Sequence, residues 1–110
     1  MKALILGIGC AFALSSCVNS GWADAPGTPV ATIEIKSFAF SQPELTVAAG
    51  TTVTWINLDQ TAHNVVSMEG KFASKGMDTD DRYSFTFQQP GDYSYRCGLH
   101  PHMIGTVHVR

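Results

Sequence analysis

The chain carries little charge and no concentration of charge of one sign. Its 110 residues include 7 Lys and Arg against 9 Asp and Glu, which gives a net charge of −2. No basic patch is visible, whereas domains that bind nucleic acid usually carry one. The sequence also has no internal repeat and no low-complexity stretch, and its length suits one domain. These absences argue against a nucleic-acid partner and against a repeat architecture.

The sequence also lacks an apolar run long enough to span a bilayer as a helix. The segment from Ala3 to Leu14 is apolar, but it falls well short of the roughly 20 residues that a membrane-spanning helix needs. With Lys2 before it, the run is typical of the core of a signal peptide. We therefore expect residues 1–16 to be a signal peptide and the mature protein to be exported to the periplasm.

Two routes of processing remain open. Leu14-Ser15-Ser16-Cys17 resembles the lipobox of bacterial lipoproteins, in which the cysteine becomes the lipidated first residue. Cleavage after Ala23-Asp24-Ala25 is the alternative. The segment 17–29 contains Gly, Pro, Ser and Asn and is typical of a flexible tether. If Cys17 carries lipid, this tether holds a domain of residues 30–110 at a membrane.

Cysteine is scarce in the predicted domain. Of three cysteines, Cys10 and Cys17 belong to the export segment, which leaves Cys97 alone. No disulfide can therefore form within the domain. A single thiol in an oxidising compartment needs protection or a function, and binding of a metal ion would provide both. The alternative is a buried, inert cysteine.

The domain is predicted to consist of short strands. Residues 32–36 alternate polar and apolar side chains, and Phe38 and Phe40 continue the alternation. Further strands are predicted at 45–47, 51–57, 65–66, 83–87, 93–97 and 106–110, and 69–81 is predicted to be a surface loop with at most one short helical turn. Closely spaced short strands without a long helix indicate an all-β sandwich or barrel.

Soft and borderline metal ligands are concentrated near the C-terminus. Cys97, His100 and Met103 lie within seven residues, and His63 lies upstream. Two imidazoles and one thiolate, with a weak axial thioether, form the ligand set of a blue-copper electron-transfer site. Because one ligand comes from the scaffold and three from a loop between strands, we expect the ion to move little when it changes oxidation state. The pattern predicts one copper ion that carries single electrons.

Several motifs together resemble one family. They are Val53-Thr54-Trp55-Ile56-Asn57, His63-Asn64-Val65, Tyr83-Ser84-Phe85-Thr86-Phe87, Gly91-Asp92-Tyr93 and Cys97-x-x-His100-Pro101-x-Met103. Through them, residues 30–110 resemble the cupredoxins, and within that family the amicyanins and plastocyanin-like domains. The resemblance implies an eight-stranded Greek-key β-sandwich with one type 1 copper ion. It also implies that His63, Cys97 and His100 are equatorial ligands, that Met103 is axial, and that the protein shuttles electrons between periplasmic redox proteins.

The metal loop departs from the family pattern before the loop histidine, where Leu99 replaces a frequent Pro, and directly after the cysteine. The family usually has Ser or Thr after the cysteine, where this chain has Gly98. That hydroxyl would help Asn64 tie the two ligand-bearing segments together, and such outer contacts tune a metal. We therefore expect Gly98→Thr to stiffen the site and change its reduction potential. His102 is an alternative loop ligand, but the family spacing on both sides favours His100.

These features favour a monomeric electron carrier rather than an enzyme, with one redox protein as donor and another as acceptor. Copper oxidases and nitrite reductases need additional copper sites, and a binuclear copper centre needs a second loop cysteine. Copper storage or delivery is the main alternative. Zinc could also occupy the thiolate and imidazoles, and a structural module without metal is the remaining interpretation.

Overall fold

The computed structural model describes residues 28–110, and the predicted signal peptide, most of the tether and Cys17 lie outside this range. The described range contains eight strands: β1 (Val30–Lys36), β2 (Ala39–Phe40), β3 (Glu44–Val47), β4 (Thr51–Asn57), β5 (Val66–Ser67), β6 (Arg82–Phe87), β7 (Gly91–Arg96) and β8 (Ile104–Val109). Within these residues there is no helix of the length and apolarity needed to cross a membrane.

The strands form two four-stranded sheets. One sheet has the order β2-β1-β4-β6 and the other has the order β3-β8-β7-β5. Parallel pairing joins β1 to β4 and β3 to β8, whereas the remaining neighbours are antiparallel. Neighbours that are distant in sequence require long crossings between the sheets. The predicted all-β Greek-key sandwich of about eight strands is confirmed.

Strand β4 shows why the sequence folds this way. Its side chains alternate between buried and half-buried along all seven residues, the period of two that places one face against a core. Trp55 is fully buried and packs against the rings of Phe72, Tyr83, Phe87 and Tyr95. On the other face, the hydroxyl of Thr52 lies 2.7 Å from that of Thr86 in β6. One face of β4 thus packs in the core, and its other face makes side-chain hydrogen bonds to β6.

The predicted alternation past Lys36 is wrong at Phe38, although it holds at Phe40. The chain reverses direction at Ser37 and Phe38. The antiparallel pairing of β2 with β1 through Lys36 and Ala39 shows this. Phe40 is buried as alternation requires, but Phe38 lies at the tip of the turn with 45% of its surface exposed. Phe38 is apolar and occupies an alternating position, but it belongs to the hairpin turn and not to the core.

The segment 69–81 contains no helical turn, contrary to the alternative that the sequence left open. Single bridges tie it to the rest of the fold, between Met77 and His63 and between Ala73 and Val66. Phe72 and Met77 are buried. The segment therefore contributes Phe72 and Met77 to the core, and its bridge at Met77 holds the backbone of His63.

Candidate metal centre

A loop between two paired strands positions three of the predicted ligands. Cys97 follows β7 directly and Met103 precedes β8, and these strands are paired up to Arg96 and Ile104. Within the loop, the Cys97 N–H donates to the Met103 carbonyl at 3.0 Å, and the Met103 N–H donates to the His100 carbonyl at 2.9 Å. The loop is therefore closed by its own backbone as well as by the sheet.

His63 comes from the connection between β4 and β5. Its N–H donates to the Met77 carbonyl at 3.1 Å, and its carbonyl accepts from the Met77 N–H at 2.7 Å. The amide of Asn57, fully buried at the end of β4, donates to the same Met77 carbonyl at 2.8 Å. The backbone that carries His63 is thus fixed to the scaffold, and the imidazole is completely buried.

The donor atoms of His63, Cys97 and His100 meet in one place. They lie within 4.8 Å of one another, with Cys97 Sγ at 3.7 Å from His63 Nδ1 and 3.6 Å from His100 Nδ1. With zinc bond lengths as a scale, nitrogen at about 2.0 Å and sulfur at about 2.3 Å, a trigonal arrangement separates the two donor atoms by about 3.7 Å. The two sulfur-to-nitrogen separations therefore already match those of a trigonal metal site.

The remaining loop residues fall into two environments. Met103 is buried and lies close in sequence to Cys97 and His100. His102 is exposed. The His102 ring centroid lies 6.5 Å from that of His100. The structure therefore brings His100 to the thiol and leaves His102 on the surface.

Asn64 joins the two ligand-bearing segments. Its Oδ1 accepts from the Gly98 N–H at 2.6 Å, and its own N–H donates to Cys97 Sγ at 3.5 Å. The Gly98 N–H thus bonds the Cys97 segment to Asn64, a connection to which the Ser or Thr hydroxyl of the family pattern was expected to contribute. A Cβ at position 98 would lie 3.1 Å from both amide atoms of Asn64 and 3.3 Å from Val66, so a larger residue would press on this tie.

Sequence reasoning missed Asp59, which contacts a predicted ligand. Its Oδ2 lies 2.8 Å from His63 Nε2. Burial raises the pKa of this carboxyl, but hydrogen bonds from the Phe38 and Ser37 N–H groups and from His63 lower it more, so that the pKa lies below its ordinary value. A carboxylate only accepts hydrogen bonds, so Nε2 of His63 carries the proton and Nδ1 presents its lone pair to the metal position.

Sequence reasoning also missed Phe38. Its ring centroid lies 5.3 Å from that of His63 and 5.0 Å from that of His100. The available signal was the position of Phe38 two residues before buried Phe40. That spacing predicts one continuous strand through both residues and gives no sign of a turn. Leu99, with 56% of its surface exposed, adds a second apolar side chain next to half-buried His100.

Two surface clefts lie away from this cluster. One of about 490 Å³ is lined by the segment from Ala73 to Met77 and by Asp81, Arg82 and Tyr83. Another of about 260 Å³ lies between β6 and the start of β7. Neither cleft is lined by His63, Cys97 or His100, so the three donor atoms do not open onto either of them.

A buried thiol and two imidazoles, held at one end of a Greek-key β-sandwich, define a metal centre of the cupredoxin class. The family model described as copper binding proteins, plastocyanin/azurin family, matches residues 28–110. The chain belongs to this family. Donor set and family together define the cofactor as a single type 1 copper ion.

Individual relatives agree with this assignment. Amicyanin of Paracoccus denitrificans is 42% identical over 82 residues, which are 70% of this chain and 63% of that protein. The structure of a purple cupredoxin from Nitrosopumilus maritimus has a TM-score of 0.67 at 35% identity, over 73% of this chain and 99% of that chain. A copper-containing nitrite reductase from Thermus scotoductus has a TM-score of 0.72 at 28% identity, over 82% of this chain but 24% of the enzyme.

Proposed function

We propose that this protein is a periplasmic blue copper protein that carries single electrons between redox partners. His63, Cys97, His100 and Met103 would hold the ion. The observation that carries the proposal is the preformed cluster, in which the Cys97 sulfur already lies at the sulfur-to-nitrogen separations of a trigonal site from both imidazoles. The bound ion supplies a Cu(II)/Cu(I) couple, and the chain supplies its surroundings.

The role of the chain is to keep the donor atoms still. The backbone of His63 is bonded in both directions to Met77, and Asn64 holds the Cys97 segment through the Gly98 N–H. A site that is held at several points and excludes water needs little rearrangement when its charge changes, because preorganised dipoles need not reorient. Fast transfer of an electron in both directions follows from this rigidity.

The exposed edge of His100 is the proposed point of electron entry and exit. His63 and Cys97 are fully buried, whereas His100 is half-buried. Leu99 and Phe38 give its surroundings an apolar character suited to a brief protein contact, since weak redox encounters bury small areas. One redox protein would donate the electron and another would accept it, and the carrier itself would act as a monomer.

The resident site argues against storage or delivery of copper as the main function. Release of a cargo ion is easiest from exposed and mobile ligands, but here two of the three clustered donors are fully buried. An enzymatic role is also disfavoured. The nitrite reductase to which the chain is similar is a much larger protein, of which this chain covers 24%.

The proposed location rests on residues outside the described range. Residues 1–16 would direct export, and either Cys17 would become lipidated or cleavage would follow Ala25. Mass spectrometry of the mature protein separates the two routes, because a lipidated N-terminal Cys17 adds acyl mass and cleavage after Ala25 removes that cysteine. A mature chain that retains Lys2 would contradict export.

The test of the proposed function is a visible spectrum of the purified protein with cupric ion. We expect an intense blue band from charge transfer between the Cys97 thiolate and the metal. Cys97→Ser should abolish the band, and the exposed-residue variant His102→Ala should keep it. A colourless sample in which Cys97 still reacts freely with thiol reagents would contradict the proposal.

A further inference from the structure

A two-residue hairpin lies directly beside the metal ligands. Strands β1 and β2 are joined through Ser37 and Phe38 alone, with Lys36 paired to Ala39. Both turn residues have positive φ, 54° at Ser37 and 57° at Phe38. Turns of this shape favour Asn-Gly or similar pairs, and a bulky residue in this region is an outlier. The chain therefore holds a phenylalanine in a conformation that its backbone disfavours.

A single carboxylate supports this turn. Asp59 accepts from the Ser37 N–H at 2.6 Å and from the Phe38 N–H at 3.0 Å. The oxygen that accepts from Phe38 also lies 2.8 Å from His63 Nε2. One side chain thus connects the strained turn to a metal ligand, and strain of this kind persists only where the surroundings determine it.

The turn places the Phe38 ring against both imidazoles. It meets His63 and His100 edge-on, with interplanar angles of 83° in both cases, while the two imidazole centroids lie 4.9 Å apart. Edge-to-face contacts of aromatic rings are favourable. The phenyl ring therefore bridges the two histidine ligands, one from the scaffold and one from the loop.

We propose that Phe38 is a cover over the metal position and that Asp59 is the positioning residue that holds it there. The cover keeps solvent and small anions away from the donor cluster and presses the two imidazoles into place. This inference rests on the proposed function for its purpose, because a carrier needs a closed site. The packing itself is a property of the chain and can be tested without metal.

The first experiment measures how fast an aromatic disulfide reagent modifies Cys97 in the metal-free protein. Phe38→Ala should raise the rate by about ten-fold, the order of the effect expected when two aromatic contacts are lost. The matched control is Val30→Ala, which truncates another exposed apolar residue of the same hairpin sheet, at the far end of β1. Rates for Phe38→Ala within two-fold of the control would overturn the proposal.

The second experiment tests whether Asp59 acts through Phe38. Asp59→Ala should raise the modification rate as Phe38→Ala does, and the double variant should be no faster than Phe38→Ala alone, because both changes remove the same cover. Independent, multiplying effects would overturn the coupling. If Asp59→Ala does not fold, Asp59→Asn serves instead, and nitrogen NMR of the His63 ring gives a separate readout, since loss of the carboxylate should disturb the Nε2–H tautomer.

The third experiment uses the cupric protein with azide as a small anionic probe. The wild-type spectrum should be unchanged by azide, whereas the spectrum of Phe38→Ala should change as the anion reaches the metal. Identical azide responses in the two proteins would contradict the cover. If the wild-type protein shows no blue band at all, the proposed function fails, whereas the thiol measurements on the metal-free protein still decide the role of Phe38.

Discussion

His63 and His108 both bond to carboxylates, but in opposite surroundings. His63 is fully buried and gives only Nε2 to a carboxylate, that of Asp59. His108, on the outer face of β8, has Nδ1 at 2.8 Å from Asp92 and Nε2 at 2.7 Å from Glu44. Because carboxylates only accept, these two contacts favour the protonated ring, in which both nitrogens of His108 donate. The hydrogen bonds that His108 donates to Glu44 and then Asp92 raise its pKa accordingly.

The comparison shows how carboxylate contacts decide whether an imidazole nitrogen keeps a free lone pair. A metal needs a lone pair on a neutral imidazole nitrogen. One carboxylate orients the ring and leaves the opposite nitrogen free, whereas two carboxylates occupy both nitrogens and hold the charge. The same residue type is thus a proposed ligand at 63 and part of a surface ion cluster at 108, and the number of carboxylate acceptors sets whether a ring nitrogen keeps a lone pair for a metal ion.

The largest expected difference comes from replacement of the two histidines themselves. His63→Gln should remove the blue band and lower copper affinity by more than the roughly 10- to 100-fold that the loss of an outer-shell partner costs. His108→Gln should leave both unchanged. Competition with a chelator of known affinity measures the difference. Equal copper affinities of the two variants would show that His63 is not a ligand.

The next largest effect is the difference in copper affinity between variants of Asp59 and Asp92. Asp59→Asn should lower copper affinity about 10- to 100-fold, because the amide can donate to His63 Nε2 and favour the tautomer with the proton on Nδ1. Asp92→Asn, on the surface cluster, is the matched control and should bind copper like the wild type. Both are measured by the same chelator competition. If Asp59→Asn matched Asp92→Asn, the orientation of His63 would not depend on Asp59.

A smaller effect distinguishes the crowded metal region from the open surface. Gly98→Thr should change the reduction potential and cost about 1–3 kcal/mol of the free energy of unfolding, the usual cost of overpacking, because a Cβ there lies 3.1 Å from Asn64. The control is Gly76→Thr, where a Cβ meets nothing within 4 Å. Voltammetry and denaturant unfolding give the two quantities. Unchanged potential and unchanged copper affinity in Gly98→Thr would refute the role of this position.

Local patterns were enough to predict part of this structure. The strand at 51–57 was predicted from its composition of β-branched residues and Trp, and the structure has it at the same bounds. The loop that carries Cys97, His100 and Met103 could be found from spacing because its geometry is set by residues close in sequence. Two strands that hold a short loop leave little freedom to its ends.

Contacts between distant segments could not be predicted in this way. The turn at Ser37 and Phe38 carries neither Gly nor Asn, so nothing local indicates it, and the acceptor that stabilises it is 22 residues away. Asp59 lies just past the end of strand β4, and nothing in its sequence position indicates its contact with His63. Burial of Phe72 and Met77 likewise depends on where segment 69–81 crosses the sandwich. In each case the determining partner is set by the tertiary fold.

The smallest effect is the pH dependence of the surface cluster. The pKa of His108 is raised above its ordinary value of 6.5 by its bonds to Glu44 and Asp92. A group whose pKa is higher in the folded state stabilises that state below its unfolded pKa, and this stabilisation is lost as pH rises through the folded value. The free energy of unfolding should therefore fall as pH rises from about 6.5 upwards. His108→Gln should flatten this part of the curve.

Asp92 gives the opposite sign at lower pH. The hydrogen bonds from His108 and then Arg110 lower its pKa below 3.8, so its contribution is present above that value and is lost as pH falls through the lowered pKa. Charged groups from β3, β7 and the chain end all meet His108 or Asp92, so salt should weaken both effects. Unfolding curves at low and high salt, with His108→Gln beside wild type, test this. A wild-type stability that stays level above pH 6.5 at low salt would mean that the two carboxylates do not hold a proton on His108, and the contrast with His63 would lose its electrostatic basis.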